Sequence, residues 1–258
     1  MTAPRYDGPL FIPTYQPFKG ERWDMDVVPL ILCPGYWSDA TMVRDMATLV
    51  RRRPGQPTHV WMSMTPFEIE SQEIGCRLAW GRTVVMGMGM GWAACNAAIN
   101  PAVTEVMVVE YDAEVLAAVE QSGIFRQLPP EAAAKISIRQ GDAHRWQPED
   151  SVACDTLMAD IWLGLHGAGR EKEVKAMAAN TGAKGVYFWG QEMNIAWRLK
   201  ELGLPLDDAG IAHVMAEWNL PLLGPGQPDY ADKMARAAQR RLQSPLKTAY
   251  SDGTPPAV

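Results

Sequence analysis

The chain has 258 residues, a formal net charge of −6 and an apolar fraction of 47%. This length predicts one full domain and a smaller one, with enough apolar residues for a hydrophobic core. The negative charge argues against a general nucleic-acid binder, which needs a basic face. Because the sequence shows no secretory signal and no apolar run long enough to span a bilayer, we expect a cytoplasmic protein that binds no membrane.

The four cysteines are Cys33, Cys76, Cys95 and Cys154, and no pair of them has C-x-x-C spacing. A disulfide framework is uncommon in a chain of this size, and structural zinc needs closely spaced ligands. We therefore expect buried free thiols in a reducing compartment and no metal.

Residues 1–80 contain many Pro, Trp and Met residues and no alternation of strands and helices. The segment 38–53 is predicted to be a helix, with Ser38 as its N-cap and Met42, Met46, Leu49 and Val50 as its apolar stripe. Arg51, Arg52 and Arg53 would then lie at the negative end of the helix dipole. A strand over 58–64 and a capped helix over 65–80 follow. We interpret residues 1–80 as a small α+β extension that contributes a substrate region or a homodimer surface.

From Gly81 onward, strands and helices alternate. The predicted strands cover 83–88, 105–112, 136–143, 154–162 and 185–190. The predicted helices cover 92–100, 113–123, 129–135, 170–182, 192–203 and 230–243, and the tail 251–258 is predicted to be frayed. This alternation predicts an α/β fold for residues 81–258, with a Rossmann-like, doubly wound and mostly parallel sheet.

A glycine loop follows the first of these strands directly, with Gly87, Gly89 and Gly91. Glycines allow a tight turn and let a ligand approach the backbone, and the next helix offers free N–H groups. Glu110 ends the next strand about 20 residues further on, where such units place an acid on the ribose hydroxyls. The loop also fits the dinucleotide fingerprint G-x-G-x-x-G/A, read as Gly89, Gly91 and Ala94, so an NAD(P)-dependent oxidoreductase stays open.

Two further acids end the next strands, Asp142 after the third and Asp160 after the fourth. Ligands of open α/β sheets lie across these carboxyl ends. Glu110 would contact the ribose and Asp142 the adenine amino group, an arrangement that favours S-adenosylmethionine over a dinucleotide. Asp155 begins the fourth strand and is expected at the opposite edge.

These segments resemble the class I S-adenosylmethionine-dependent methyltransferase fold, and within it the spermidine synthase group. The resemblance covers residues 60–203 and rests on "VVMGMGMGWAACNAA", "VMVVEYDAEVLAA", "ISIRQGDA" and "CDTLMADIW". It implies cofactor binding by Gly87, Gly89, Gly91, Glu110, Tyr111, Asp142, Ala143 and Asp160. The segment "FEIESQEIG" is more faintly similar to the linker of that group, through Glu68, Gln72 and Glu73.

The chain departs from the polyamine-forming enzymes of that group. Met90 or Met88 stands where they have an Asp, Ser71 where they have a Tyr, and "ADIWLGLHGAG" replaces their D-P-x-G-P-A stretch. A diamine carries two positive charges and needs several acids around it. A small-molecule methyltransferase is therefore favoured over an aminopropyltransferase, and a nucleoside-binding domain without turnover is a further alternative.

Asp160 and His166 are the candidate catalytic residues, because a base is needed where the acceptor must lose a proton. For His166, and for His144 beside Asp142, a structural role is the competing interpretation. Beside the predicted strand ends lie Trp92, Trp162 and Trp189, which could line a pocket for a planar or cationic acceptor. Magnesium-assisted methylation through Asp160 and Asn194 is disfavoured by their spacing.

Overall fold

The computed structural model describes residues 5–55 and 57–242, and these residues form two β-sheets and the helices that cover them. The predicted frayed tail, 251–258, lies outside the described residues. Within the described part of the chain, no helix has the length and apolar character needed to cross a membrane.

The N-terminal sheet has four antiparallel strands in the order β1-β2-β3-β4. Their bounds are β1 (Phe18–Lys19), β2 (Trp23–Cys33), β3 (Thr41–Arg51) and β4 (His59–Ser63). The strands β2 and β3 form a long ribbon that pairs Trp23 with Arg51 at one end and Cys33 with Thr41 at the other. The strand predicted over 58–64 is confirmed as β4.

The helix predicted over 38–53 is wrong, since most of this segment is strand β3. Residues 46–50 are all buried, a continuous run that fits a strand covered on both faces rather than a helical stripe. Pairing with β2 satisfies the backbone hydrogen-bonding groups of β3, and this outweighs the helical spacing of its apolar residues. The guanidinium of Arg51 lies 5.3 Å from the ring of Trp23 and 5.7 Å from that of Trp61, so cation–π contacts replace the expected helix dipole.

Helix α1 (Pro66–Leu78) connects the two sheets and begins as predicted from the sequence. The side chain of its N-cap, Thr65, accepts a hydrogen bond from the backbone N–H of Glu68. The helix packs against the parallel sheet described next, and the expected domain boundary at residue 80 stays a prediction.

The second sheet has five strands, all parallel, in the order β7-β6-β5-β8-β9. They are β5 (Gly81–Met86), β6 (Val103–Glu110), β7 (Ile136–Gln140), β8 (Thr156–Ala159) and β9 (Gly185–Phe188). The helices are α2 (Trp92–Ile99), α3 (Ala113–Ser122), α4 (Pro130–Ala133), α5 (Arg170–Thr181), α6 (Gln191–Leu202), α7 (Asp208–Trp218) and α8 (Tyr230–Leu242). The predicted α/β fold with a parallel central sheet is confirmed, and α7 is the helix that the sequence prediction missed.

Alternate residues of the parallel strands enter two separate cores. Val84 and Leu157 belong to the core beneath α5, α6 and α8, whereas Val85 and Met158 belong to the core that contains α2 and α3. A sheet covered on both faces needs continuous apolar strands, which is the pattern that the sequence shows. All four cysteines are free and buried, as expected.

The N-terminal sheet is attached to the parallel domain at both ends of the β2–β3 ribbon. At one end, Nε1 of Trp23 donates a 2.8 Å hydrogen bond to the carboxylate of Asp112, the N-cap of α3. At the other end, one carboxylate oxygen of Glu70, on α1, accepts the backbone N–H groups of residues 36–38. The ribbon therefore joins α1 to α3.

Candidate functional site

The glycine loop lies between β5 and α2 with all three glycines in the left-handed region. Their φ angles are 94° at Gly87, 49° at Gly89 and 76° at Gly91. A Cβ atom on Gly87 would lie 2.0 Å from the backbone oxygen of Asp160, because the loops after β5 and β8 cross there. Glycine is therefore required at Gly87 by both conformation and space.

Side chains of the N-terminal region cover this loop. The sulfur of Met62, on β4, accepts a 3.1 Å hydrogen bond from the backbone N–H of Met90. The hydroxyl of Tyr15 donates to the backbone oxygen of Met90, and Trp92, the first residue of α2, is buried. The start of α2 is thus enclosed by apolar and thioether groups rather than open to an anion.

Glu110 ends β6 beside the glycine loop, as predicted. Its carboxylate accepts 2.8 Å hydrogen bonds from the backbone N–H groups of Met88 and Asp112, one at each oxygen. Burial raises the pKa of Glu110 despite these hydrogen bonds. Each oxygen keeps a lone pair for another donor. The adjacent Tyr111 is 65% exposed.

Asp142 and Ala143 follow β7 at the same carboxyl edge of the sheet. The carboxylate of Asp142 accepts a hydrogen bond from the backbone N–H of His144 at 2.9 Å and stays partly exposed. Ala143 is buried in the core beneath α5 and α6. His144 is exposed, and its backbone oxygen accepts a hydrogen bond from Asn180. A role for its imidazole stays a prediction.

Asp160 follows β8 and is linked to a second acid through one amide. Nε2 of Gln72 donates 2.9 Å hydrogen bonds to Oδ2 of Asp160 and to Oε1 of Glu68. Gln72 and Glu68 are four residues apart on α1, so both side chains leave the same face of that helix. The structure therefore brings the faint linker match and the predicted strand-end acid into one site.

The two carboxyl groups hold their protons more tightly than exposed acids do. Burial raises the pKa of Asp160 to about 7, with Glu110 adding to the rise and Arg170 and Gln72 opposing it. Burial and the charge of Asp160 raise the pKa of Glu68 to about 8. Near neutral pH the pair therefore holds about one proton, and a group that titrates there suits proton transfer.

Arg170, the first residue of α5, lies under the loop that follows β8. Its guanidinium carbon is 4.1 Å from the ring centre of Trp162, and its Nη2 donates to the backbone oxygen of Gly164 at 3.2 Å. Nε1 of Trp162 donates to Glu173 at 2.6 Å. The loop after β8 is thus organised around a buried cation.

His166 lies in the same loop and packs on a different neighbour. Its ring centre is 4.6 Å from that of Trp197 on α6, and burial, aided by Arg170, lowers its pKa. The side chain of Asn194 holds this loop by accepting from the backbone N–H of Gly167 and donating to the backbone oxygen of Leu165. The side-chain amide of Asn194 is thus used to position the loop. A catalytic role for His166 stays a prediction.

The carboxyl edge therefore carries Asp142, Glu110, the glycine loop and Asp160 in the spatial order of their strands. Asp155 lies at the opposite end of β8, where it binds the backbone N–H of Arg82 and pairs with Lys184, as expected. Arg170 and Met62 belong to no sequence pattern that predicts a place in the site. Glu68 and Gln72 are indicated in the sequence only by the faint linker match.

No protein-family model matches this chain, and no curated protein matches it either. Solved structures do match parts of it. The methyltransferase domain of bacterial CtHen1-CN is 15% identical over 42% of this chain and 55% of its own, with a TM-score of 0.33. The glycopeptide N-methyltransferase MtfA complexed with S-adenosylmethionine is 19% identical over 46% of this chain and 52% of its own, with a TM-score of 0.35.

A third match is the precorrin-6y C5,15-methyltransferase from Geobacter metallireducens GS-15. It is 11% identical over 50% of this chain and 63% of its own, with a TM-score of 0.36. This chain thus spans a little over half the length of the three structures, and their activities are statements about those proteins.

Proposed function

We propose that the protein is a methyltransferase that uses S-adenosylmethionine to methylate a small molecule. The observation that carries the proposal is the order of groups at the carboxyl edge: Asp142, Glu110, the glycine loop, and the acid pair Asp160 and Glu68. When bound, S-adenosylmethionine supplies a methyl group activated by a sulfonium. Adjacent strands lie about 4.8 Å apart, so these groups together span the length of an adenosine and the methionine attached to it.

The residues present fit an adenosyl ligand. The buried carboxylate of Glu110 keeps one lone pair on each oxygen, which suits the two hydroxyls of a ribose. Asp142 is partly exposed one strand further on, where it can accept from an adenine amino group. Tyr111, exposed between them, offers an aromatic face for a base.

The cover of the glycine loop favours this ligand over a dinucleotide. A pyrophosphate needs the N–H groups at the start of the following helix. Here the N–H of Met90 is bonded to the thioether of Met62, and Trp92 is buried. A ligand without phosphates fits this enclosed loop better than NAD does.

Asp160 and Glu68 would take up the acceptor's proton. Their pKa values of about 7 and 8 place this uptake near neutral pH, and Gln72 holds the two carboxyl groups in fixed positions. Alignment of acceptor and methyl group would supply the rest of the rate enhancement.

Aminopropyl transfer is the second candidate, and one contact favours it. Gln72 and Glu68, which match the spermidine synthase linker, share the site with Asp160. This gives two acids beside the fourth strand where the sequence alone suggested one.

The test is calorimetric titration with S-adenosylmethionine, S-adenosylhomocysteine, decarboxylated S-adenosylmethionine and NAD⁺. We expect the two carboxylated adenosyl ligands to bind most tightly. Preference for the decarboxylated ligand would support aminopropyl transfer, and binding of NAD⁺ alone would reject both candidates. Binding without product formation in an acceptor screen would instead indicate a nucleoside-binding domain.

Glu110→Ala tests the ribose contact in the same titration. Loss of a charged hydrogen bond is expected to weaken S-adenosylhomocysteine binding by about 1.5–3 kcal/mol. The matched control is Glu105→Ala, on the same strand near its opposite end, where Glu105 pairs with Arg82. Equal affinities in both variants would refute the assigned ribose site.

A further inference from the structure

The guanidinium of Arg170 is the buried cation of the site with unused hydrogen-bonding capacity. Arg170 is only 4% exposed. Its Nη2 reaches the backbone oxygen of Gly164, but its Nη1 has no hydrogen-bond partner among the described residues. A buried donor left unpaired costs free energy, and a charged group costs more than a neutral one. The position therefore suits an acceptor atom from a ligand.

The two nearest acids do not satisfy this guanidinium. Burial lowers the pKa of Arg170 to about 10, while Glu173 and Asp160 act against that shift, so the group is still charged at neutral pH. Both acids influence Arg170 only through their charges, and neither forms a hydrogen bond with its guanidinium among the described residues. The carboxylate of Glu173 is engaged by Nε1 of Trp162, and that of Asp160 by Gln72.

The acid pair lacks an ion-pair partner. Gln72 bridges the carboxyl groups of Asp160 and Glu68, and neither carboxyl group forms an ion pair with a Lys or Arg among the described residues. Arg170 lowers the pKa of Asp160, but burial raises it more, to about 7. Oδ1 of Asp160 and Oε2 of Glu68 accept no hydrogen bond from the described residues. An ammonium group placed there would allow both carboxyl groups to ionise.

The order of strands places both features beyond the nucleoside. The adenine and ribose positions lie on β7 and β6, and the glycine loop follows on β5. Asp160 follows β8, and Arg170 begins the helix after that strand. A ligand that reaches Arg170 therefore lies on the acceptor side of the site.

We propose that Arg170 binds a carboxylate of the acceptor while Asp160 and Glu68 bind its ammonium group. The acceptor class is then an amine that carries a carboxylate. This assignment rests on the methyltransferase function proposed above and names its substrate class. A diamine would leave Nη1 of Arg170 unpaired and add a positive charge beside it, and a simple carboxylate would leave the acid pair uncompensated.

The first test needs no variant. Wild-type protein, with and without saturating S-adenosylhomocysteine, is titrated with ω-amino acids from β-alanine to 6-aminohexanoate. The comparison ligands are the diamines and the monocarboxylates of the same chain lengths. We expect at least one amino acid to bind about tenfold or more tighter than both of its matched analogues. A diamine or monocarboxylate that binds as tightly as the amino acid would overturn the proposal.

Proton release supplies an independent readout. Titration at pH 7.5 in two buffers of different ionisation enthalpy counts the protons released on binding. Because the acid pair holds about one proton there, the amino acid is expected to release on the order of one, and the monocarboxylate none. Amino-acid binding without proton release would exclude the acid pair as the ammonium site.

Arg170→Gln and Arg170→Lys then test the cation, with Arg198→Gln on the surface of α6 as the matched control. We expect the preference for the amino acid over its matched analogues to fall about tenfold or more in Arg170→Gln. Arg170→Lys should retain part of this preference, and the control should retain all of it. Affinity for S-adenosylhomocysteine should be unchanged. A selective loss of that affinity, with decarboxylated S-adenosylmethionine unaffected, would assign the carboxylate to the cofactor and overturn the proposal.

The two proposals fail separately. Absence of S-adenosylhomocysteine binding with amino-acid preference intact would reject the methyltransferase alone. Cofactor binding with no preference for amino acids would reject the acceptor site alone. If Arg170→Gln does not fold, the ligand series on the wild-type protein still decides.

Discussion

The two sheets of this protein bury their apolar residues in different ways. The strand β8 is buried at every position and lies between strands on both sides, whereas β2 exposes residues 29–32 near one end of the β2–β3 ribbon. In the parallel sheet most apolar side chains are removed from water by helices on both faces, with Ile138 on β7 an exception, whereas several apolar side chains of the N-terminal sheet are exposed. The same residue type is therefore expected to contribute very different stability in the two regions.

A pair of leucine truncations tests this difference most strongly. Leu157, on β8, is fully buried, and Leu32, on β2, is 61% exposed. Leu157→Ala is expected to lower the free energy of unfolding by about 2–5 kcal/mol, because it removes buried surface and leaves a cavity. Leu32→Ala is expected to change it by less than about 0.5 kcal/mol. Urea unfolding measures both, and a large loss in Leu32→Ala would indicate that its face is covered in solution, as in a homodimer.

Two glycines with positive φ extend the comparison to the backbone. Gly87, after β5, has φ 94° and no room for a Cβ, whereas Gly55, between β3 and β4, has φ 71° and open space around it. Gly87→Ala is expected to lose about 2–4 kcal/mol through strain and a clash with the backbone of Asp160, and Gly55→Ala only about 1 kcal/mol through strain. The midpoints of urea unfolding give both values. Equal losses would mean that the loops after β5 and β8 separate at little cost.

The same contrast explains what the sequence could predict. The strands β5, β6, β8 and β9 are short, mostly apolar runs, so the local pattern is enough to predict them. The residues of β3 have helical spacing of their apolar side chains, and nothing within this segment indicates that it pairs with β2. Local spacing therefore predicts the wrong element in the N-terminal sheet, where the strands pair with segments distant in sequence.

The residues of the candidate site also differ in how far the sequence predicts them. Glu110, Asp142 and Asp160 could be placed because each follows a predicted parallel strand. Glu68 and Gln72 come from α1, and their approach to Asp160 depends on how that helix packs. The unpaired N–H of Arg170 and the cover by Met62 depend on contacts between side chains distant in sequence, which a single sequence does not encode in any local pattern.

The acid pair makes the junction between α1 and the parallel sheet sensitive to pH. Since the pKa of Glu68 is raised to about 8, the folded protein keeps a proton that the unfolded chain loses near pH 4.5. The free energy of unfolding should therefore fall as the pH rises from about 4.5 to 8, and Glu68 should cost stability above that range. Glu68→Gln is expected to match the wild type near pH 4.5 and to exceed its stability at pH 8.5 by several kcal/mol, up to about 5, since each unit of pKa shift corresponds to about 1.4 kcal/mol.

The measurement is urea unfolding of both proteins from pH 4.5 to 9. Glu192→Gln is the matched control. Burial also raises the pKa of Glu192, to about 7, but it lies among Tyr36, Tyr187 and Tyr230, away from the acid pair. Its gain in stability should level off at a lower pH than that of Glu68→Gln. A constant difference between Glu68→Gln and the wild type would show that Glu68 is ionised throughout.

Glu70 tests whether the N-terminal sheet depends on its attachment to α1. Its carboxylate accepts three backbone N–H groups, from Tyr36, Trp37 and Ser38. Glu70→Ala removes the acceptor of all three N–H groups and is expected to lose about 1.5–2 kcal/mol of stability. Glu73→Ala, on the same helix, breaks ion pairs with Arg77 and Lys233 and should lose about 1 kcal/mol or less. Hydrogen exchange should then be faster at residues 36–38 and unchanged in β8, because every residue of β8 is buried and the strand is hydrogen-bonded to β5 and β9 on either side. Faster exchange in β8 as well would mean that the two sheets unfold as one unit, and that the difference in burial between them does not extend to their cooperativity.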